Sequence, residues 1–254
     1  MAMHAYIDLE REKVLFARNA VSENKDTRFY CPNSDCDAHM HVRHRHGLKY
    51  TYFAAKSKVY PHVEGCPFGA RSKFKPYDFM EGEFHFEEVA LGITQRDGNL
   101  QTPRKSPAKQ NNDSEPIKLP PHTLHQIYNM CISHHCKDVY NNQVIGWILI
   151  DKRSLFMYPK GVFGWRIIEG KRKRPEFYDS RKKEIYITLN ADNSPYSFIL
   201  KFEDENLFKT VKNKIYNNKD KLILAIAHWE KSGEYNVFSG QIISKAQVAV
   251  TLTS

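Results

Sequence analysis

A chain of 254 residues with 41% hydrophobic residues is long enough for two domains, each with a core of its own. It has no apolar run near 18 residues and no charged segment leading into an apolar one after Met1, so it is expected neither to cross a membrane nor to be secreted. Five cysteines, an odd number, fit metal binding in a reducing cytoplasm better than a disulfide framework.

From the N-terminus, residues 5–9 and 14–17 read as a β-hairpin, and 28–31, 39–46 and 50–54 as further strands. Between and beyond them stand Cys31 and Cys36, with four intervening residues, then His62 and Cys66, with three. Thiolate and imidazole are the donors that suit Zn²⁺, and two ligand pairs joined by a connecting stretch are how a small domain closes a tetrahedral structural site. Tyr30-Cys31-Pro32-Asn33 reads as a strand turning into a knuckle, and Gly65-Cys66-Pro67 as a second tight turn. His39 and His41 share one face of their strand, and His44 and His46 the other; His44 or His46 could replace His62 as the nitrogen donor. Otherwise these imidazoles, with Arg43 and Arg45, form a polar surface strand beside the site. An acidic-aromatic segment over 78–93 closes this module, with a helix expected on Phe86, Val89, Leu91 and Ile93.

Residues 95–121 are rich in Pro, Asn, Gln, Ser and charge, lack aromatic residues and show no hydrophobic period, which predicts a flexible linker between a module at 1–94 and a domain at 122–254. Charge separates the two. Residues 1–95 are neutral, whereas 121–254 carry 20 Lys and Arg against 13 Asp and Glu, which points to a polyanionic partner.

The second domain opens on an amphipathic helix over 123–135, with Cys131 facing its core; a second metal site built from Cys131, His134, His135 and Cys136 would require the helix to end among them. Strands are expected over 144–150, 155–158, 162–169, 184–189, 196–202, 221–229, 235–243 and 246–252. A helix over 205–216 presents Leu207, Phe208, Val211 and Ile215. The basic run Lys171-Arg172-Lys173-Arg174, followed by Phe177-Tyr178 and Arg181-Lys182-Lys183, joins cations for phosphates to flat rings for unpaired bases. Trp165, Phe177, Tyr178, Tyr186, Trp229 and Tyr235 are the stacking candidates, with Tyr186 and Trp229 placed first.

Two resemblances go with these residues. The hairpin 185–189 and 197–202, the helix after it, and the final hairpin 221–227 and 235–238 resemble the second half of a nucleic-acid-binding OB-fold; the barrel's first strand is not evident, and 144–169 holds more strands than the simple barrel needs. Tyr30-Cys31-Pro32, Cys36, Tyr52-Phe53-Ala54 and His62-x3-Cys66-Pro67 resemble the zinc-binding N-terminal module of CoiA-like bacterial competence and mobile-element proteins, which implies the metal site and no activity. The expected fold is therefore mostly β (α+β), a small zinc-binding β module followed by an OB-fold-like barrel with an amphipathic helix. The expected function is binding of single-stranded nucleic acid, DNA before RNA, as a cytoplasmic accessory of mobile-element or defence DNA, with a protein partner on the zinc module as a further expectation.

Two other readings stand beside it. Asp151 and Glu169-Gly170-Lys171, each ending an apolar strand, have the outline of a Mg²⁺-dependent nuclease in which carboxylates hold the ion and the lysine orients water. A protein-interaction adaptor with incidental charge is the other. No Walker loop, nucleophile elbow or Rossmann fingerprint is present.

Overall fold

The computed structural model describes residues 2–20, 26–44, 51–55, 59–63, 66, 68–69, 74–95, 118–191 and 194–251. Most of the expected 95–121 linker, together with His46, Arg45, Gly65 and Pro67, lies outside them. The chain divides into two compact units that interleave in sequence: Met1–Glu83 with Leu119–Pro121 and Gln126–Ile145, and Phe84–Lys118 with His122–His125 and Gly146–Ser254.

The first unit is built on an antiparallel sheet of β1 (His4–Tyr6), β2 (Val14–Phe16), β3 (Phe29–Tyr30), β4 (His39–His44) and β5 (Thr51–Ala55), in the order β2-β1-β3-β4-β5. Alternation along each strand sends Ala5, Phe29, Met40, Val42 and Phe53 to one face, where they pack with Cys31, Cys36 and Phe68 into a small core. Between β1 and β2 the Asp8 carboxylate accepts from the backbone of Glu12 and Lys13 at 2.8 and 2.9 Å and fixes a tight turn. Those bonds, led by the one from Glu12, hold the Asp8 carboxyl below its ordinary range.

Helix α1 (Phe86–Thr94) buries Phe86, Ala90 and Ile93 and belongs with the second unit. Helix α2 (Leu124–Ser133) follows, then the short pair β6 (Val139–Tyr140) and β7 (Gln143–Val144). The expected strand over 144–150 is instead one helical turn, α3 (Ile145–Ile148), ending in the two-residue β8 (Leu149–Ile150). An unbroken apolar run has no period to separate helix from strand, and tertiary packing decides. For the same reason 155–158 is a 3-10 turn, Leu155–Met157, and not a strand.

The rest of the second unit is a closed five-stranded barrel. Its strands are β9 (Gly164–Arg172), β11 (Glu184–Leu189), β12 (Ser197–Lys201), β13 (Ile223–Lys231) and β14 (Val237–Gln241); β10 (Tyr178–Asp179) and β15 (Val248–Val250) attach to β11 and β13, and β8 runs parallel to β9. Going round, the order is β9-β11-β12-β14-β13 and back to β9; the β12–β14 pair is parallel and every other pair in the ring is antiparallel.

Closure depends on Gly170. It is opposite Ile223 on one side and Leu189 on the other, where β9 passes from β13 to β11. A Cβ there would stand 2.4 Å from the Ile187 Cγ2 and 2.6 Å from the Thr188 carbonyl oxygen, so only glycine permits this approach. Ile185, Ile187, Leu189, Phe198, Leu200 and Phe238 point inward. Helix α4 (Glu205–Tyr216) connects β12 to β13 and adds Phe208, Val211 and Ile215 to that core; its N-cap Asp204 accepts from the Leu207 amide at 2.5 Å.

Candidate metal centre and nucleic-acid interface

Cys31 follows β3 directly, so the strand end sets its position. The chain then turns through Asn33, whose carbonyl accepts from the Cys36 amide at 3.1 Å and whose side chain accepts from the Asp35 amide at 3.2 Å. On the other side, the Val63 carbonyl accepts from the Cys66 amide at 3.1 Å and the Cys66 carbonyl from Gly69 at 3.0 Å, winding a second knuckle. The two knuckles face each other, and the four donor atoms lie within 4.8 Å of one another.

The distances select the coordinating atom. His62 Nδ1 stands 3.5 Å from the Cys31 sulfur, 3.4 Å from Cys36 and 3.4 Å from Cys66, and the Cys31 and Cys66 sulfurs are 3.7 Å apart. A tetrahedron with metal–sulfur bonds of about 2.3 Å and a metal–nitrogen bond of about 2.0 Å has S···S edges of about 3.8 Å and S···N edges of about 3.5 Å. Nδ1, equidistant from three sulfurs, fits the fourth vertex. The Cys66 thiol is pulled down, first by the hydrogen bond from Cys31 and then by that to His62, while the Cys31 thiol is pushed up, first by its bond to Cys66 and then by burial.

Arg11 completes the site from outside. Its backbone is left-handed, with φ at 59°, in the turn that Asp8 shapes. The guanidinium donates from Nε to the Cys31 carbonyl at 3.0 Å, and from one Nη to the carbonyls of Cys36 at 3.1 Å and Asn33 at 3.4 Å. One side chain thus holds three carbonyls of the first knuckle. Three thiolates and an imidazole around a dication carry a net negative charge, and Arg11 supplies the nearby opposite one. Sequence reading missed this residue, because nothing in Glu10-Arg11-Glu12 distinguishes it from a solvated charge.

Among the described residues this is the one group of three or more such ligands gathered together. His44 lies against Thr51, with Nδ1 3.2 Å from its hydroxyl oxygen, and His39 is stacked on Tyr60. The Cys131, His134, His135 and Cys136 set does not converge: Cys131 is buried, His134 Nδ1 meets the Met130 carbonyl at 2.8 Å, and His135 Nδ1 accepts from the Lys137 amide at 3.1 Å.

The basic run is divided between elements. Lys171 and Arg172 end β9, while Lys173, Arg174, Arg181 and Lys182 are exposed on the excursion to β11. Asp179 pins that excursion by accepting from the amides of Arg181 and Lys182, which hold its carboxyl below its ordinary range. An open cleft of about 1090 Å³ forms there, lined by Arg172, Lys173, Arg174, Arg181 and the rings of Tyr178, Tyr186 and Tyr216. Lys173 Nζ stands 5.9 Å from the Tyr186 ring and Lys212 Nζ 5.0 Å from Tyr178. Tyr216, 64% exposed, and Lys212 come from α4 and were not among the sequence candidates; only the barrel's closure brings that helix end to the cleft. Lys183 turns away and bonds the Glu203 carbonyl.

Trp229 is corrected. It is fully buried against Phe198, and its indole N–H donates to the Arg166 carbonyl at 3.0 Å, so it is barrel core and no stacking surface. Phe177 is also buried. Trp165 is half-buried on the outer wall, edge-on to His228 at 5.8 Å, and Tyr235 is 91% exposed on the β13–β14 turn. Of the nuclease candidates, Asp151 is occupied: one oxygen accepts from the Arg153 and Ser154 amides, and the other meets the Arg153 guanidinium at 2.7 Å. Glu169 is buried beside Asn190, and Lys171 is exposed. No helix among the described residues is long and apolar enough to cross a membrane. No protein-family model, no curated protein and no solved structure matches this chain.

Proposed function

We propose that the protein binds single-stranded nucleic acid, DNA in the first instance, on a barrel of the OB class, with a Zn²⁺ ion organising its N-terminal module. The barrel reading is supported by the ring order: counting β9, β11, β12, β13 and β14 as one to five, it runs 1-2-3-5-4-1, with strands three and five parallel and a helix between three and four. Zinc is favoured over other first-row ions by three thiolates, one imidazole and a closed tetrahedral geometry. The ion's part is structural: with four protein ligands the site keeps no open position for a substrate.

The observation that carries the function is the cleft beside β10 and β11, whose lining joins three tyrosine rings to four cations that outnumber its two carboxylates, Glu176 and Asp179. Duplex DNA offers phosphates but hides base faces, whereas an unpaired strand offers both, so this mixture favours the single strand. A cytoplasmic accessory role in handling mobile-element or defence DNA is proposed with it, supported by the resemblance of Tyr30-Cys31-Pro32, Cys36 and His62-x3-Cys66-Pro67 to the CoiA-like zinc module. Fluorescence anisotropy with labelled oligo-dT and duplex of equal length tests it. Binding is expected to favour oligo-dT and to weaken steeply with salt, and Lys173→Glu with Arg174→Glu is expected to lower it at least tenfold. Equal affinity for both probes, unchanged in that variant, would exclude the cleft as the binding site.

A further inference from the structure

Opposite its small core, the first unit's sheet presents a face of a different character. Tyr6 and Tyr30 are register partners on β1 and β3, and Tyr30 and His39 on β3 and β4, so these three rings stand side by side on one face. Their neighbours Phe29 and Met40 point to the other, buried face. Tyr60 lies flat on His39, with ring centroids 3.5 Å apart and planes within 14°, and is 49% exposed. The Arg28 guanidinium sits 4.7 Å from the Tyr30 ring, and Arg43, exposed on β4 opposite Tyr52, adds a second cation on the same side as His39. Three rings therefore cross the sheet side by side with Tyr60 laid over the last of them, Arg28 sits over the middle one, and Arg43 stands farther along β4 beyond the buried His41.

We infer that this row, Tyr6-Tyr30-His39-Tyr60 with Arg28 and Arg43, is a second platform for single-stranded nucleic acid, on which unpaired bases stack while the arginines meet phosphates. The inference rests on the proposed function above. Tyr60 precedes the metal ligand His62 by two residues, so the ion that closes the site also anchors the segment that presents this ring. Partial burial and the nearby Arg28 hold the His39 imidazole below its ordinary pKa, which keeps it a neutral flat ring at pH 7. The module is neutral over residues 1–95, with Asp37 also close to His39, so this contact draws on rings more than on net charge. Its signature is weak salt dependence, in contrast to the cleft on the barrel.

The test uses the full-length, metal-loaded protein. Oligo-dT carrying 5-iododeoxyuridine is crosslinked by long-wave ultraviolet light and the attached peptides are mapped by mass spectrometry. Anisotropy is measured in parallel at low and high salt for wild type, Tyr60→Ala, Tyr60→Phe and Arg28→Ala, each with its metal content assayed. Crosslinks at Tyr30 or Tyr60 are expected, with an affinity loss of about tenfold in Tyr60→Ala that persists at high salt and is largely restored by Tyr60→Phe. Crosslinks confined to residues 172–216, with Tyr60→Ala binding as wild type, would overturn the platform and leave the barrel reading standing. Crosslinks at Tyr60 alongside a Lys173→Glu/Arg174→Glu variant of unchanged affinity would do the reverse. A Tyr60→Ala variant that loses a protein partner while its oligonucleotide affinity is intact would also overturn the platform.

Discussion

The Arg11 Nε donates to the carbonyl of Cys31 at 3.0 Å, joining a turn in the first hairpin to the first metal knuckle 20 residues later. The same guanidinium reaches Cys36 and Asn33, so its loss frees three carbonyls at once and removes the charge that offsets three thiolates. Arg11→Gln is expected to lower metal affinity about 10–100-fold, and Arg11→Lys by less, since a point ammonium keeps the charge but not the fork. Competition with a chromophoric chelator measures this. The Co²⁺-loaded variants should keep the ligand-field spectrum of the wild type, because all four ligands remain; a changed spectrum would show that Arg11 determines ligation itself.

The two units hold separate cores, and only one contains the metal ligands. Cys31 and Cys36 are part of the first core, which otherwise joins small alanines to Phe29, Met40, Val42, Phe53 and Phe68. A core of that size would gain much of its hold on five short strands from the cross-link that an ion bound at these ligands would provide. Chelation, or Cys36→Ser, is therefore expected to abolish amide protection in β1–β5 while β9, β11 and β13 keep theirs. Hydrogen exchange read by mass spectrometry checks it, and equal loss in both sets would refute the separation.

What the sequence disclosed depended on how local each signal was. The ligands come as two close pairs, so the site is readable from spacing, although only the folded distances show that Nδ1 is the donor. Helix α4 announced itself through Phe208, Val211 and Ile215, and the expected bounds are those found. Over 144–150 an unbroken apolar run hid a helical turn. In β13 the buried stretch from Ile223 to Ala227 obscures strand parity, yet His228-Trp229-Glu230 restores it: two exposed polar residues flank an inward ring. That alternation was the available sign that Trp229 faces the core. Tyr216 gave no such sign, since its place in the cleft follows from how the barrel closes.

Barrel closure and strand binding should separate by mutation. Gly170→Ala forces a methyl group into Ile187 and the Thr188 backbone and is expected to cost about 3 kcal/mol, and Trp229→Ala about 3–5 kcal/mol. Tyr216→Ala, at an exposed helix end, should change stability by less than about 0.5 kcal/mol yet reduce oligo-dT affinity several-fold. Urea denaturation and anisotropy on the same preparations distinguish the two classes. A Tyr216→Ala protein with full affinity would remove α4 from the interface.

Asp138 gives the first unit a pH dependence of stability. Its side chain is 4% exposed, accepts from the Val139 amide at 2.8 Å and pairs with Arg18 at 2.6 Å. Burial nevertheless dominates: it pushes the carboxyl up to about 6, against the opposing pull of the Val139 amide and Arg18, and Glu81 adds to the rise. An acid whose folded pKa exceeds its unfolded value of 3.8 binds more protons in the folded state between those two values, so stability falls as pH rises from 3.8 to about 6 and is level above. Folding thus bears a cost of about 3 kcal/mol at neutral pH that is absent in acid. Asp138→Asn removes the charge and keeps an acceptor for Val139, while Arg18, half exposed, loses little. The variant is expected to be more stable than wild type by about 1–2 kcal/mol at pH 7.5, with the advantage shrinking below pH 6 and gone near pH 4. Acid also protonates the cysteine and histidine ligands, but in both proteins alike, so the difference between their urea midpoints across this range isolates Asp138. A difference that runs the other way, with wild type gaining on the variant as pH rises, would show that the Arg18 contact, and not burial, governs this carboxylate.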